Sequence, residues 1–156
     1  MNESFMREAI RLSHEMMKQG RGGPFGAVIV RQGQILSRGW NEVTTRNDPT
    51  AHAEIIAIRE ACQAAQTFRL SGCELYASCE PCPMCLGAAY WAHLDRVFFA
   101  ATRADAAAAG FDDELIYKEI LLPPDKRPHL PMVQFLRHEA LEAFEEWAKS
   151  SGKIPY

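Results

Sequence analysis

The stretch ELYASCEPCPMCLGAAYWAHLDRVFFAA, Glu74–Ala101, decides the fold. Glu74–Ser78 (ELYAS) reads as a short strand, Cys82–Ala92 as an Ala-rich helix, and Arg96–Ala101 (RVFFAA) as a buried strand. Strand, helix and strand in that order make a βαβ unit with parallel pairing. Upstream, Phe25–Arg31 (FGAVIVR) and Gln34–Trp40 (QILSRGW) flank a turn at Gly33 and read as a β-hairpin, which makes the sheet mixed. Ala53, Ile56, Ala57 and Glu60 recur at helical spacing within Ala51–Ala65, as do Phe5, Ala9, Leu12 and Met16 in a first helix ending at Gly20. Asn41–Thr50 between them is a polar loop. Beyond Asp105 the pattern predicts a helix over Asp112–Leu121 and a connector enforced by Pro123, Pro124, Pro128 and Pro131. A last strand follows at Val133–Leu136, then a terminal helix over Glu139–Ser150. The expectation is an α/β fold with helices on both faces of a mixed central sheet of about five strands.

The 156 residues fit one domain, 1–156, large enough to fold on its own core without a disulfide or a metal. Met1–Glu15 carries acidic residues among its apolar ones and is no signal peptide. No run approaches the roughly 20 apolar residues that span a bilayer. A cytoplasmic protein with no membrane partner is expected. The net charge of -3 and pI near 6.0 disfavour a nucleic-acid partner, which calls for a basic face. Five cysteines are an odd count, and Cys79, Cys82 and Cys85 crowd into seven residues. Such clustering points to metal ligation before it points to disulfides.

His52-Ala53-Glu54, followed by Pro81-Cys82-Pro83-Met84-Cys85, carries the chemistry. Cysteines three apart on a helix share a face, and near its N-terminus the dipole favours thiolate. Two thiolates and one imidazole suit a single tetrahedral Zn²⁺ per chain, with a fourth position left for water. Glu54 beside that water can carry its proton. Residues two apart in a regular helix diverge, so His52 and Glu54 share a site only if His52 lies in the first turn. Asp48-Pro49-Thr50 predicts a helix beginning within two residues of Pro49. The rival is a closed structural site of Cys79, Cys82, Cys85 and His52 with no room for water. His-x-Glu with Pro-Cys-x-x-Cys is the zinc-deaminase signature.

Around those motifs, Pro24–Val28, Asn47–Glu54 and Ser78–Gly87 resemble the cytidine-deaminase superfamily. Ala109-Gly110-Phe111-Asp112-Asp113 and Ile116–Ile120 resemble the small bacterial guanine deaminases within it. The resemblance covers nearly the whole chain and is weakest between Leu121 and Leu136. It implies a three-layer αβα fold, His52, Cys82 and Cys85 as zinc ligands, and Glu54 and Asp113 as the catalytic acids. It implies that Asn41 hydrogen-bonds a purine, that Phe25 and Trp91 line the pocket, and that Ala53 and Tyr156 join the substrate-binding residues. The Tyr-terminated tail resembles segments that exchange between subunits near residues 150–156, hence a homodimer. The implied reaction is hydrolysis of guanine to xanthine and ammonia. Deamination of tRNA adenosine, a free pyrimidine or an aminotriazine remains an alternative, as does a binding module built on structural zinc. Glu139, Glu142, Glu145 and Glu146 on the terminal helix disfavour RNA.

Overall fold

Helix α1 (Glu3–Lys18) starts where the Asn2 side chain accepts the Ser4 N–H, in a computed structural model that describes residues 1–155. It buries Ala9, Leu12 and Ser13 and stops before Gly20, which takes a left-handed φ of 68°. Strands β1 (Gly26–Arg31) and β2 (Gln34–Trp40) form the expected hairpin. Its two turn residues, Gln32 and Gly33, both have positive φ (51° and 75°), matching the right-handed twist of the strands. β3 (Cys73–Cys79) pairs antiparallel with β1, and β4 (Arg96–Ala101) pairs parallel with β3. The sheet order is β2-β1-β3-β4.

The two-residue period of β1 sorts its side chains between two cores. Val28 and Val30 meet Leu12 and Tyr76 on the α1 side. Ala27 and Ile29 face α3 (Ala53–Ala65), packing with Ala53, Ala57, Ile58 and Ala61. Burying an aliphatic side chain of this size contributes about 1.5–3 kcal/mol. Two glycines let the helices seat. A Cβ on Gly26 would stand 2.3 Å from the Ala9 carbonyl oxygen, and one on Gly39 would stand 2.1 Å from that of Ala53. Neither obstacle is a side chain that can swing away. Gly39→Ala is therefore expected to destabilise the chain by about 1–3 kcal/mol, as overpacking does. It should also weaken zinc binding, because the displaced end of α3 adjoins His52. A denaturation midpoint and zinc affinity equal to wild type would disprove that constraint.

Several expectations change. Among the described residues the sheet has four strands, not about five: Val133–Leu136 forms no strand. Pro131 removes a backbone donor there, and Leu136 turns left-handed (φ 52°) to start a helix. Helix α3 begins at Ala53, not within two residues of Pro49. Asp48-Pro49-Thr50 closes a turn instead: Asp48 Oδ1 accepts the Thr50 N–H at 2.8 Å and its hydroxyl at 2.7 Å. A short helix α2 (Val43–Arg46) lies in the supposed loop. After α4 (Pro83–Trp91) and β4 comes an unforeseen α5 (Arg103–Ala108), opened by a Thr102–Asp105 capping box.

Residues 1–113 make one compact unit containing all of these elements, and residues from 114 onward make a second. The second holds α6 (Glu114–Ile120), a 3-10 turn (Pro124–Lys126) and α7 (Arg137–Lys149). Tyr156, expected at the site, lies outside the described residues. Among the described residues no helix is long and apolar enough to cross a membrane.

Candidate active site

His52 and Cys82 are both helix N-caps. Each holds an extended backbone (φ -70°, ψ 155° and φ -64°, ψ 168°), and neither side chain caps its own helix. This resolves the spacing problem. His52 stands just outside α3, so it can share a site with Glu54 in the first turn. Cys85 follows in the first turn of α4, after Pro83 has started that helix without a wasted N–H.

The His52 Nδ1 atom lies 3.6 Å from Cys82 Sγ and 3.5 Å from Cys85 Sγ. These donors form the one cluster able to hold a metal among the described residues, with all atoms within 4.8 Å of one another. Zinc bonds of about 2.0 Å to nitrogen and 2.3 Å to sulfur, opened to the tetrahedral angle, put N and S about 3.6 Å apart. The residues fit the ion. One ligand is already primed: hydrogen bonding from Cys85 and then from His52 pulls the Cys82 thiol down to about 4, giving a ready thiolate. Cys85, facing that thiolate, is pushed up, and the Cys82 contact raises His52.

Cys79 does not close the site. Its thiol points to the Thr102 carbonyl at 3.6 Å and stands outside the donor cluster. The Cys₃His reading is corrected: Cys79 ends β3 and lines the cavity, but its thiol is turned to the Thr102 carbonyl and not to the donor cluster.

Glu54 is 7% exposed, with Oε2 3.4 Å from Cys85 Sγ. Burial raises its pKa, while its own backbone N–H partly opposes the rise. Beside it opens a cavity of about 590 Å³ whose walls include Phe25, Asn41, His52, Cys82 and Asp113. Asn41 Oδ1 accepts the Gly23 N–H at 3.1 Å and the Val43 N–H at 3.3 Å. Two donors on one atom settle which end is oxygen and leave Nδ2, a donor, for the cavity. Asn41 thus offers one kind of contact, where an amide in general can read both. Burial, and then the negative Cys82, raise the Asp113 carboxyl.

Two expected residues lie elsewhere. Trp91 ends α4, is 65% exposed, and does not line the cavity of its own chain. Nine residues of helix carry it about 13 Å from the ligand end. The Ala53 side chain packs in the α3 core instead of the cavity. Sequence reasoning also missed a wall. Phe111 lines the cavity and packs edge-to-face on Phe25, with ring centroids 4.9 Å apart at 87°. Its signal was the Gly110–Asp113 run, in which only Asp113 received a role.

Three donors on two helix starts, a buried carboxylate beside them and an open cavity on the remaining side define a zinc deaminase. The comparisons agree. The pattern of the cytidine and deoxycytidylate deaminase zinc-binding region matches residues 1–101. Guanine deaminase of Bacillus subtilis is 52% identical over 155 residues, 99% of each chain. Its X-ray structure superposes with a TM-score of 0.96 over 100% of this chain and 99% of that one. The tRNA-specific adenosine deaminase of Aquifex aeolicus is 43% identical over 99 residues, 64% of this chain and 65% of that one. A guanine deaminase structure from Nitrosomonas europaea matches 72% of this chain and 65% of that one, at 33% identity and a TM-score of 0.69. The chain belongs to the cytidine and deoxycytidylate deaminase family, whose members are zinc-dependent hydrolases.

Proposed function

We propose that this chain hydrolyses guanine to xanthine and ammonia. One observation carries the choice of base: identity to the Bacillus subtilis guanine deaminase is 52% over 99% of both chains, while a tRNA-specific adenosine deaminase matching over 94% of this chain is 32% identical. Zinc, when bound by His52, Cys82 and Cys85, lowers the pKa of water in its fourth position and so supplies a nucleophile near neutral pH.

The chain's own groups do the rest. Phe25 and Phe111 give the planar base an apolar wall, and Asn41 Nδ2 donates to an acceptor on its rim. Glu54 takes the proton of the attacking water through Oε2 and passes it to a ring nitrogen as oxygen adds at C2. It then takes the proton of the added hydroxyl and gives it to the leaving amine, so that C2=O forms, the C2–N bond breaks and neutral ammonia departs. Asp113, on the cavity wall, is assigned as the second carboxyl, accepting a hydrogen bond from that amine. The acidic α7, with Glu139, Glu142, Glu145 and Glu146, supports a free base over RNA. We also propose a homodimer that exchanges the segment near residues 150–156, on the strength of its resemblance to segments that exchange between subunits in small bacterial guanine deaminases. A monomeric mass in sedimentation would remove both.

The test is ammonia release from guanine, cytosine, adenine, aminotriazines and an anticodon stem-loop. Guanine should lead by at least about 10²-fold in kcat/KM, since a site built on specific hydrogen bonds rejects bases that leave them unmade. A lead for any other member would overturn the assignment.

A further inference from the structure

Glu42 is a carboxylate 5% exposed, next to Asn41 in sequence and outside the cavity wall. It occupies the N-cap of α2, where a carboxylate ordinarily caps, yet its side chain makes no capping bond. It reaches two arginines instead. Oε2 lies 2.6 Å from the Arg46 guanidinium, and Oε1 lies 3.5 Å from that of Arg21. The Oε2 contact is off the line of an N–H and so is an ion pair, not a directed hydrogen bond. Burying a carboxylate is costly unless it is paired, and here the pairing joins two separate segments.

One segment is α2. The other is the Arg21-Gly22-Gly23 loop, which forms the rim of the cavity. Arg21 is tied three ways: to Glu42, over the Trp40 ring at 5.1 Å, and through its carbonyl, which accepts the Thr45 hydroxyl at 3.1 Å. Two residues on, the Gly23 N–H is one of the donors that fix Asn41 Oδ1. The loop lies so close to Asn41 that a Cβ on Gly22 would stand 1.9 Å from the Asn41 carbonyl oxygen. Val43, the first residue of α2, supplies the second donor to Oδ1. Both donors that orient the Asn41 amide therefore sit on segments that Glu42 clamps.

Resting on the reading of the cavity as a base-binding site, we propose that Glu42 is a positioning residue. By ion pairs to Arg21 and Arg46 it holds the two backbone donors that aim Asn41 Nδ2 at the substrate. Its loss should therefore weaken binding of the base and leave the proton chemistry of Glu54 alone.

Glu42→Gln keeps the shape and removes the charge. In the zinc-loaded enzyme it should lower kcat/KM about 10- to 100-fold, the scale on which small misplacements act, nearly all of it through KM. The decisive measurement is a double-mutant cycle with Asn41→Ala. In the Asn41→Ala background Glu42→Gln should cost less than about twofold, because the amide it positions is gone. Additive losses, or a fall in kcat at constant KM, would overturn the role. Arg21→Met removes the tie between Glu42 and the loop, together with the Trp40 contact, and should show the same non-additivity, so the cycle can be run even if Glu42→Gln does not fold. The cycle uses whichever base the wild-type chain hydrolyses fastest. A wrong substrate thus shows in the wild type, and a wrong role for Glu42 shows as additivity.

Discussion

Glu54→Gln is expected to retain one zinc per chain and to lose about 10²–10⁴-fold in kcat, the usual weight of a positioned general acid–base group. The expectation follows from position. Glu54 lies in the first turn of α3, beside His52 but outside the cluster of metal donors, so its replacement leaves all three ligand atoms in place. Its Oε2, 3.4 Å from Cys85 Sγ, faces the metal end of the cavity and not solvent. A buried carboxylate is costly for a fold to keep. Burial pushes its pKa upward, which suits a group that must both take and return a proton. Glutamine fills the same volume and can hydrogen-bond, but it cannot carry a proton through the cycle. Substrate binding should survive: KM is expected within a few-fold of wild type, with the loss in kcat. Metal analysis and steady-state kinetics on the same preparation check this. Near wild-type turnover in a fully loaded variant would show that Glu54 is a buried structural acid and that protons travel by another route.

The division between what the sequence disclosed and what it concealed has physical causes. β1, β2, β3 and β4 were legible because a half-buried or buried strand writes its burial into a two-residue period or an apolar run. The ligands were legible because one ion demands particular atoms at fixed spacing. Helices α2 and α5, of four and six residues, are too short to show a period and stayed hidden. Asp48-Pro49-Thr50 carried the chemistry of a helix cap, but the same side-chain oxygen can close a turn, and only the path of the chain into His52 decides between them. Val133–Leu136 has the composition of a strand but pairs with none, and strand pairing is a long-range fact that no local window contains. At the site, resemblance placed Trp91 at the substrate, while helix length carries it away from the cavity of its own chain. Phe111 was unmarked because its role depends on meeting Phe25, 86 positions away in the chain, at 4.9 Å. The locking of Asn41 by the Gly23 and Val43 N–H groups was invisible for the same reason. Backbone donors carry no sequence signal.

Stripping the metal with a chelator should abolish ammonia release, by at least about 10²-fold, yet leave the chain folded. The two halves of this prediction have different sources. Loss of activity follows from the donor set, in which His52, Cys82 and Cys85 stand at tetrahedral N···S separations with their open side toward the cavity. Survival of the fold follows from where the buried apolar mass lies. The two cores on either side of β1 contain neither His52 nor either ligand cysteine, so no packing depends on the ion. The empty site is also not left with bare charges. Hydrogen bonds from Cys85 and His52 favour the Cys82 thiolate, lowering its pKa to about 4, and the Cys82 contact raises that of His52. The apo chain should therefore keep its far-UV dichroism and lose only the stabilisation that zinc binding adds by mass action. One equivalent of zinc should restore turnover. Magnesium should not, because it seeks oxygen ligands in octahedral geometry and this site offers sulfur and nitrogen. Restoration by magnesium, or full activity in the chelated enzyme, would remove the metal from the reaction. Global unfolding on chelation would show instead that the three ligands hold the domain together, and would return the site to a structural role.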